Sequence, residues 1–488
     1  MPSSRSAART SVTAPTSAPP TLPSALVWET RASSRFVGLA VARAISQVLS
    51  IAWFLFAARR MAQTEFGVLA TSLVFFAVFA GLADAGTSRS VVRYVAADPR
   101  TLTSAYRCAL GYRVGVGLVC TAAVTMMIYL TTSSVSTAGV ALAGLCAAIS
   151  GATELAFAGL RAVGRVNTEI VLLVFERALF LVVAIVVIER GGGALSILML
   201  YTVSNLLSAL ISGAIVGRST SGEQRAVGRF MDREAAITAA AFAVLIVTPR
   251  ISAVLVAVMT TPREVAVFSV GLRPAEALGL FALSVATPLL AIVRNDVANG
   301  AHAQADAAVR SITGVVMLAI APFVVWMAVA PQALLRILFG EGRFEGASTV
   351  ARLVAIVALG LTLRGLTEAI LLAREQASRF LAIVAIGAVV NLAAGIPLTL
   401  THGATGAAVA MLAAEITMLA VVIGTVTAIR TAVASHLAPV ALVGLVVVAG
   451  ALIASHSFVV MGAATTIACG LAAVLLLPML RTLEHRHA

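Results

Sequence analysis

Lysine is missing from this chain altogether: all 34 basic residues are arginine. That absence excludes chemistry. A phosphate-binding P-loop sets a lysine amine on the nucleotide, and Schiff-base catalysis needs a primary amine. Neither a Walker-type ATPase nor a lysine-imine enzyme fits, so any uphill work draws on ions, membrane voltage or a chemical sink. Cysteine is scarce. Cys108, Cys120, Cys146 and Cys469 lie scattered in apolar stretches with no CxxC, which reads as free thiols rather than a metal or disulfide site. The six histidines (His302, His402, His436, His456, His485 and His487) sit in loops or at helix ends and never at HExxH spacing. No metal and no cofactor is expected. Charged residues make up 11% of the chain, against about 25% in soluble domains.

What is present explains what is absent. Hydrophobic residues are 60% of the 488 and mean hydropathy is +1.02, so the solvent for most of this chain is lipid. Thirty-seven glycines suit close helix packing in a bilayer. Residues 1–34, rich in Ser, Thr, Ala and Pro, are expected to form a disordered cytoplasmic tail. Apolar segments of helical length then follow near 36–58, 66–86, 107–130, 137–159, 168–188, 194–216, 235–260, 265–293, 309–334, 347–373, 378–400, 403–428, 437–455 and 458–480. The fold class is therefore an all-α membrane protein of about fourteen spans. With the N-terminus inside, 21 arginines fall in cytoplasmic segments and 5 in outer ones, which places both termini in the cytoplasm. The net charge of +13 reads as this topology signal and not as nucleic-acid binding.

A faint repeat runs through the spans. Glu65-Phe-Gly-Val68 and Glu264-Val-Ala-Val267 each open a helix, and Gly-rich breaks recur at Gly191 and Gly403. The organisation expected is an N-lobe over 35–218, a cytoplasmic linker over 219–234, a C-lobe over 235–430, and two further spans with a short tail over 431–488.

Charge inside the spans points to function. Arg43, Arg113, Arg177, Arg250, Arg273 and Arg364 fall well within predicted helices. Six arginines facing lipid would cost about 15–20 kcal/mol on insertion scales, so they face each other or water. Helical spacing groups Arg43 with Gln47 and Ser50, Tyr201 with Asn205, Ser269 with Arg273 and Glu276, and Arg364 with Glu368. The adjacent Glu176 and Arg177 read as a neutral pair, and Glu276 is placed to neutralise Arg273 as Glu368 is to neutralise Arg364. Arg43 and Arg250 have no acid within reach on their own spans and are the best ligand candidates. Pro249, just before Arg250, is a candidate hinge. Arg43, Arg250, Arg273 and Arg364 are thus the expected anion ligands, with Gln47, Arg113, Tyr201, Asn205 and Ser269 lining the same chamber. Glu154, Glu276 and Glu415 are candidates for coupling to a proton or sodium ion. Guanidinium forks match phosphate oxygens, so a pyrophosphate headgroup is the cargo handle this pattern suggests.

Three stretches resemble the polysaccharide transporter family, whose superfamily also holds lipid II flippases and multidrug and toxin extrusion proteins. They are EFGVLATSLVFFAVFAGLADAGTSRSVVRYVA at 65–96, LFGEGRFEGASTVA at 338–351 and NLAAGIPLTLTHGATGAAVAMLAAE at 391–415. The resemblance implies two pseudo-symmetric six-helix lobes, a cationic central cavity holding Arg43, Arg250 and Arg273, and alternating access without covalent chemistry. It implies a polyprenyl-pyrophosphate-linked oligosaccharide as cargo, a bacterial cytoplasmic membrane as location, and glycosyltransferases or a polymerase as candidate partners. Lipid II transport and cation extrusion stay open within the superfamily. A membrane-embedded glycosyltransferase or an envelope-assembly scaffold are the alternatives of another class.

Overall fold

Fourteen α-helices carry the described chain, which in this computed structural model comprises residues 23–84, 86–131, 135–219, 244, 247–340, 342–344 and 346–453. They are α1 (Pro23–Arg60), α2 (Gln63–Asp84), α3 (Thr87–Ala97), α4 (Leu102–Thr131), α5 (Thr137–Ala162), α6 (Val166–Glu189) and α7 (Ala194–Ser219) in the first half. The second half holds α8 (Ile251–Met259), α9 (Pro262–Ala298), α10 (His302–Val329), α11 (Pro331–Phe339), α12 (Ala347–Ala373), α13 (Ala377–Thr425) and α14 (Thr427–Ile453). Ten helices are long and apolar enough to cross a membrane by themselves, and α13 is two spans bent at Gly403, whose φ of 56° only glycine adopts easily. The protein is an all-α, multi-pass membrane protein in which α1–α7 and α8–α13 form two lobes, with α14 packed along α10. Of the expected linker at 219–234 only Ser219 is described, as the end of α7; the rest of it, residues 235–243 of the expected seventh span and the span at 458–480 lie outside the described residues.

Three boundaries differ from expectation. Helix α1 reaches back to Pro23, into the segment read as a disordered tail, because Pro is pre-set for the first helical turn and the Ala, Leu, Glu and Arg that follow are good helix formers. The stretch after α2, left between the expected spans 66–86 and 107–130, forms the short helix α3. Asp84 stabilises its start by accepting hydrogen bonds from the Ser88 amide at 3.4 Å and the Ser88 hydroxyl at 2.8 Å. The ninth span ends at Val329, where Pro331 starts the separate amphipathic helix α11.

The repeat is real in space, with its register corrected by two residues. The Glu65 carboxylate, at the start of α2, accepts from the Ala194 amide that opens α7 at 2.9 Å. The Glu264 carboxylate, at the start of α9, accepts from the Ala404 amide that opens the second arm of α13 at 2.9 Å. A Cβ at Gly193 would stand 2.9 Å from Glu65 Oε2, and one at Gly403 would stand 2.6 Å from Glu264 Oε2. Gly193, not Gly191, is thus the counterpart of Gly403: it is the residue whose missing side chain admits the carboxylate. Each Glu caps a helix N-terminus, where orphan amides and the helix dipole favour an anion. Glu65→Ala and Glu264→Ala are each expected to lower stability by about 1 kcal/mol, additively because the sites are in different lobes; thermal unfolding of the purified variants in detergent measures it.

The core is shared at one end and divided at the other. We call distal the end that holds Arg59, Glu65 and Glu264, and proximal the end that holds α3. One apolar cluster spans both lobes distally, from Trp53, Phe66 and Ile197 to Phe268, Phe339 and Val350. Proximally there are two separate clusters, one around Val95, Tyr106 and Leu160 in the first lobe and one around Val309, Ile370 and Ile429 in the second.

Candidate functional site

A cavity of about 280 Å³ lies where the two lobes face each other. The first lobe lines it with Gln47, Ser50 and Trp53 of α1, one face of α2, Arg177 of α6 and Tyr201 of α7; the second contributes Arg250, Ala253 of α8, and Phe268, Ser269, Leu272, Arg273 and Glu276 of α9. Arg273 stands eleven residues into α9, about 16 Å along it at 1.5 Å per residue, a length about half that of a hydrocarbon core of about 30 Å.

Each cationic lining residue is held by identifiable contacts. Arg250 ends a 3₁₀ turn, Thr248–Arg250, in which Pro249 suits a first-turn position lacking an amide partner. Its guanidinium donates to Glu276 Oε1. Arg273 donates to Glu276 Oε2 at 2.9 Å, one helical turn along the same face, while its guanidinium carbon sits 3.9 Å from the centroid of Phe54 in the opposite lobe. That cation–π stack fixes the plane of the fork. Arg177 donates to the Tyr201 hydroxyl at 3.1 Å. The pairing expected with Glu176 is present but long, at 3.8 Å. Glu176 instead accepts from the Ser208 hydroxyl at 2.6 Å. Side chains adjacent in sequence diverge around a helix, which is why Arg177 reaches the cavity although its neighbour is an acid. Among the charged groups that line the cavity, three arginines face one carboxylate.

The sequence grouping is therefore split by the structure. Arg250, Arg273, Gln47, Tyr201, Ser269 and Glu276 come together at the cavity. Arg43 stands one turn of α1 towards the proximal end from Gln47, with its side chain 53% exposed, and pairs with Glu169 of α6 at 3.4 Å; Arg161 binds the same carboxylate oxygen. Arg364 is sealed inside the second lobe against Glu415 at 2.8 Å, 9% and 5% exposed. Spacing along α12 offered Glu368; the carboxylate that seals Arg364 comes from α13. Arg113 is buried in the first lobe, paired with Asp84 at 3.2 Å and donating to the Gly151 carbonyl at 3.0 Å. Asn205 is buried too, turned back to the Tyr201 carbonyl at 2.7 Å. Glu154 is exposed, within electrostatic reach of Arg113 and Arg177. Sequence reasoning missed Glu169 and the aromatic wall of Trp53 and Phe76. The first carries no helical-spacing signal, and aromatics on apolar spans look like ordinary core.

Distally the lobes are latched across the cavity roof. Arg59 of α1 donates to the last carbonyls of α11, at Leu338 (2.9 Å) and Ile337, and Arg343 returns a bond to the Met61 carbonyl. Phe66 and Phe339 each pack on Phe344. At Gly67, α2 approaches α9 so closely that a methyl group would strike the Pro262 carbonyl. Gly67→Ala is accordingly expected to disfavour this closed end. Labelling of a single cysteine at Ala70 by an impermeant thiol reagent from the distal side should rise at least threefold in that background.

No known family model and no curated protein matches this sequence. Solved structures do match the fold. A lipid II flippase MurJ in an inward closed conformation aligns with a TM-score of 0.64 over 91% of this chain and 99% of that one, at 13% identity. An inward-facing multidrug resistance MATE transporter of the MOP superfamily aligns at 0.59 over 80% and 95%, at 15% identity. A MOP superfamily transporter from Pyrococcus furiosus, described as having a binding pocket of reverse polarity, aligns at 0.55 over 82% and 94%, at 14% identity. The shared feature is the fold of two helical lobes.

Proposed function

We propose that this protein is a flippase that carries a polyprenyl-pyrophosphate-linked oligosaccharide across the bacterial cytoplasmic membrane by alternating access. The observation that carries this reading is the convergence of Arg177, Arg250 and Arg273 on one mid-membrane cavity against a single lining carboxylate, Glu276. A guanidinium stays charged at any physiological pH and binds phosphate oxygens bidentately, so an anionic headgroup is the ligand such a cavity holds. It repels cations, which argues against drug-cation extrusion. The headgroup enters from the cytoplasm while the isoprenoid remains in lipid, and the lobes rock about the distal latch to release it outside. Arginine placement makes the proximal end cytoplasmic, so the shared distal core and separate proximal cores correspond to a state closed to the outside. Pro249, in the 3₁₀ turn that leads into α8, sits beside Arg250 as a hinge where such rocking could be absorbed, and Glu276, Glu415 or Glu154 would supply a coupling site for a proton or sodium ion.

Lipid II is the second reading of the cargo, favoured by the alignment over nearly the full length of a lipid II flippase. Both cargoes present the same pyrophosphate. Deletion of the gene followed by mass spectrometry of lipid-linked sugars separates them. Accumulation of one precursor on the inner leaflet names the cargo, and unchanged precursor pools with normal envelope polymer would end the flippase reading.

A further inference from the structure

One carboxylate in the cavity is placed as a ligand would be. Glu276 gives Oε1 to Arg250 and Oε2 to Arg273, so both forks are already occupied by an anion that belongs to the protein. The triad is open to the cavity: the side chains are 33% exposed for Arg250, 34% for Arg273 and 19% for Glu276. The other buried pairs differ. Arg364 and Glu415 form a closed couple inside one lobe, and at Glu169 a single oxygen takes both arginines while the other oxygen is buried without a partner. Unlike these two carboxylates, Glu276 uses each oxygen for a separate guanidinium at a surface that a ligand can reach.

We propose that Glu276 is the specificity-determining residue of the cavity, a built-in competitor that admits headgroups with two linked anionic centres, diphosphates, and turns away those with one. This rests on the flippase reading and names the feature of the headgroup that is selected. A tethered carboxylate acts at high effective concentration. An anion with one charged centre must evict Glu276 to reach both arginines, and the evicted carboxylate, held on α9 one turn from Arg273, then repels it. A diphosphate has a second centre. It places one phosphate on the shared pair and the other towards Arg177, the third lining arginine, which donates to the Tyr201 hydroxyl at 3.1 Å and has the Glu176 carboxylate at the longer distance of 3.8 Å. Its two phosphates reach three guanidinium groups, against the two that Glu276 holds.

The test uses the purified full-length chain in detergent and calorimetric titration with geranyl diphosphate and geranyl monophosphate. The unaltered protein is expected to prefer the diphosphate at least tenfold. In Glu276→Gln, which keeps the shape and removes the charge, monophosphate affinity is expected to rise at least fivefold and the preference to narrow below threefold. Glu276→Asp keeps the charge but cannot span both guanidinium groups; its preference is expected to fall at least threefold, and it decides the matter should the glutamine variant not fold. Parallel weakening of both ligands in these variants would show that Glu276 only props the arginines and would overturn the proposal, as would an unchanged preference. Failure of the unaltered protein to bind either phosphate would strike earlier, at the anion-binding reading itself, and the proposal would fall with it.

Discussion

Arg250→Ala is expected to cut translocation of the lipid-linked cargo at least tenfold at equal protein level, with Arg273→Ala doing the same and Arg43→Ala costing less than threefold. A hydrogen bond to a charged partner contributes about 1.5–3 kcal/mol, and every 1.4 kcal/mol is tenfold in an equilibrium. Removal of one cavity fork also leaves Glu276 facing only one counter-charge, so the remaining arginine is more fully neutralised and the headgroup loses two contacts. Arg43 is another matter. Half exposed and paired with a carboxylate that Arg161 also binds, it resembles the surface pairs whose contribution is about 0–1 kcal/mol. The measurement is the surface-exposed fraction of the precursor in cells carrying each variant, normalised to immunoblot level. Equal loss in all three would move the headgroup site towards the cytoplasmic mouth; full activity in Arg250→Ala would remove the clamp.

Arg364→Ala is expected to fail at folding. It leaves Glu415 buried without its counter-charge, a loss of about 3–5 kcal/mol for breaking one side of a buried pair. Thermal unfolding in detergent and steady-state abundance in the membrane both report it. Replacement of both partners, Arg364→Met with Glu415→Leu, removes the charges together and is expected to restore abundance to at least half and keep transport within threefold. Persistent loss of transport by a well-folded double variant would instead give the pair a part in the cycle, as an ion-coupling site.

Much of the scaffold could be read before any coordinates. Helix count, the bend at Gly403 and the repeat that pairs Glu65 with Glu264 followed from apolar run lengths, glycine and acid placement, each a local property. Partners did not follow. Arg364 had Glu368 one turn away, yet binds Glu415 from α13; Arg250 had no acid on its own span, yet binds Glu276 of α9. Spacing along one helix gives the face of a side chain and says nothing about which other helix that face meets. Arg177 shows the same limit from the other side. Its adjacent Glu176 suggested a neutral pair, and only the packing of α6 against α7, which offers Ser208 to the acid and Tyr201 to the base, frees the guanidinium for the cavity.

The amino-acid sequence by itself determined the solvent, the helices and the sign of the charge within the membrane, because burial of apolar surface and the scarcity of polar groups depend on composition and short-range order alone. The tertiary structure decided which arginines share water and which are sealed: Arg177, Arg250 and Arg273 at a cavity between lobes, Arg113 and Arg364 each closed against a carboxylate within one lobe, Arg43 near the rim. The physical reason is that an ion pair at bilayer depth is made between helices distant in the chain, and whether its cation remains available to a ligand depends on the distance between two lobes, which no stretch of sequence encodes locally.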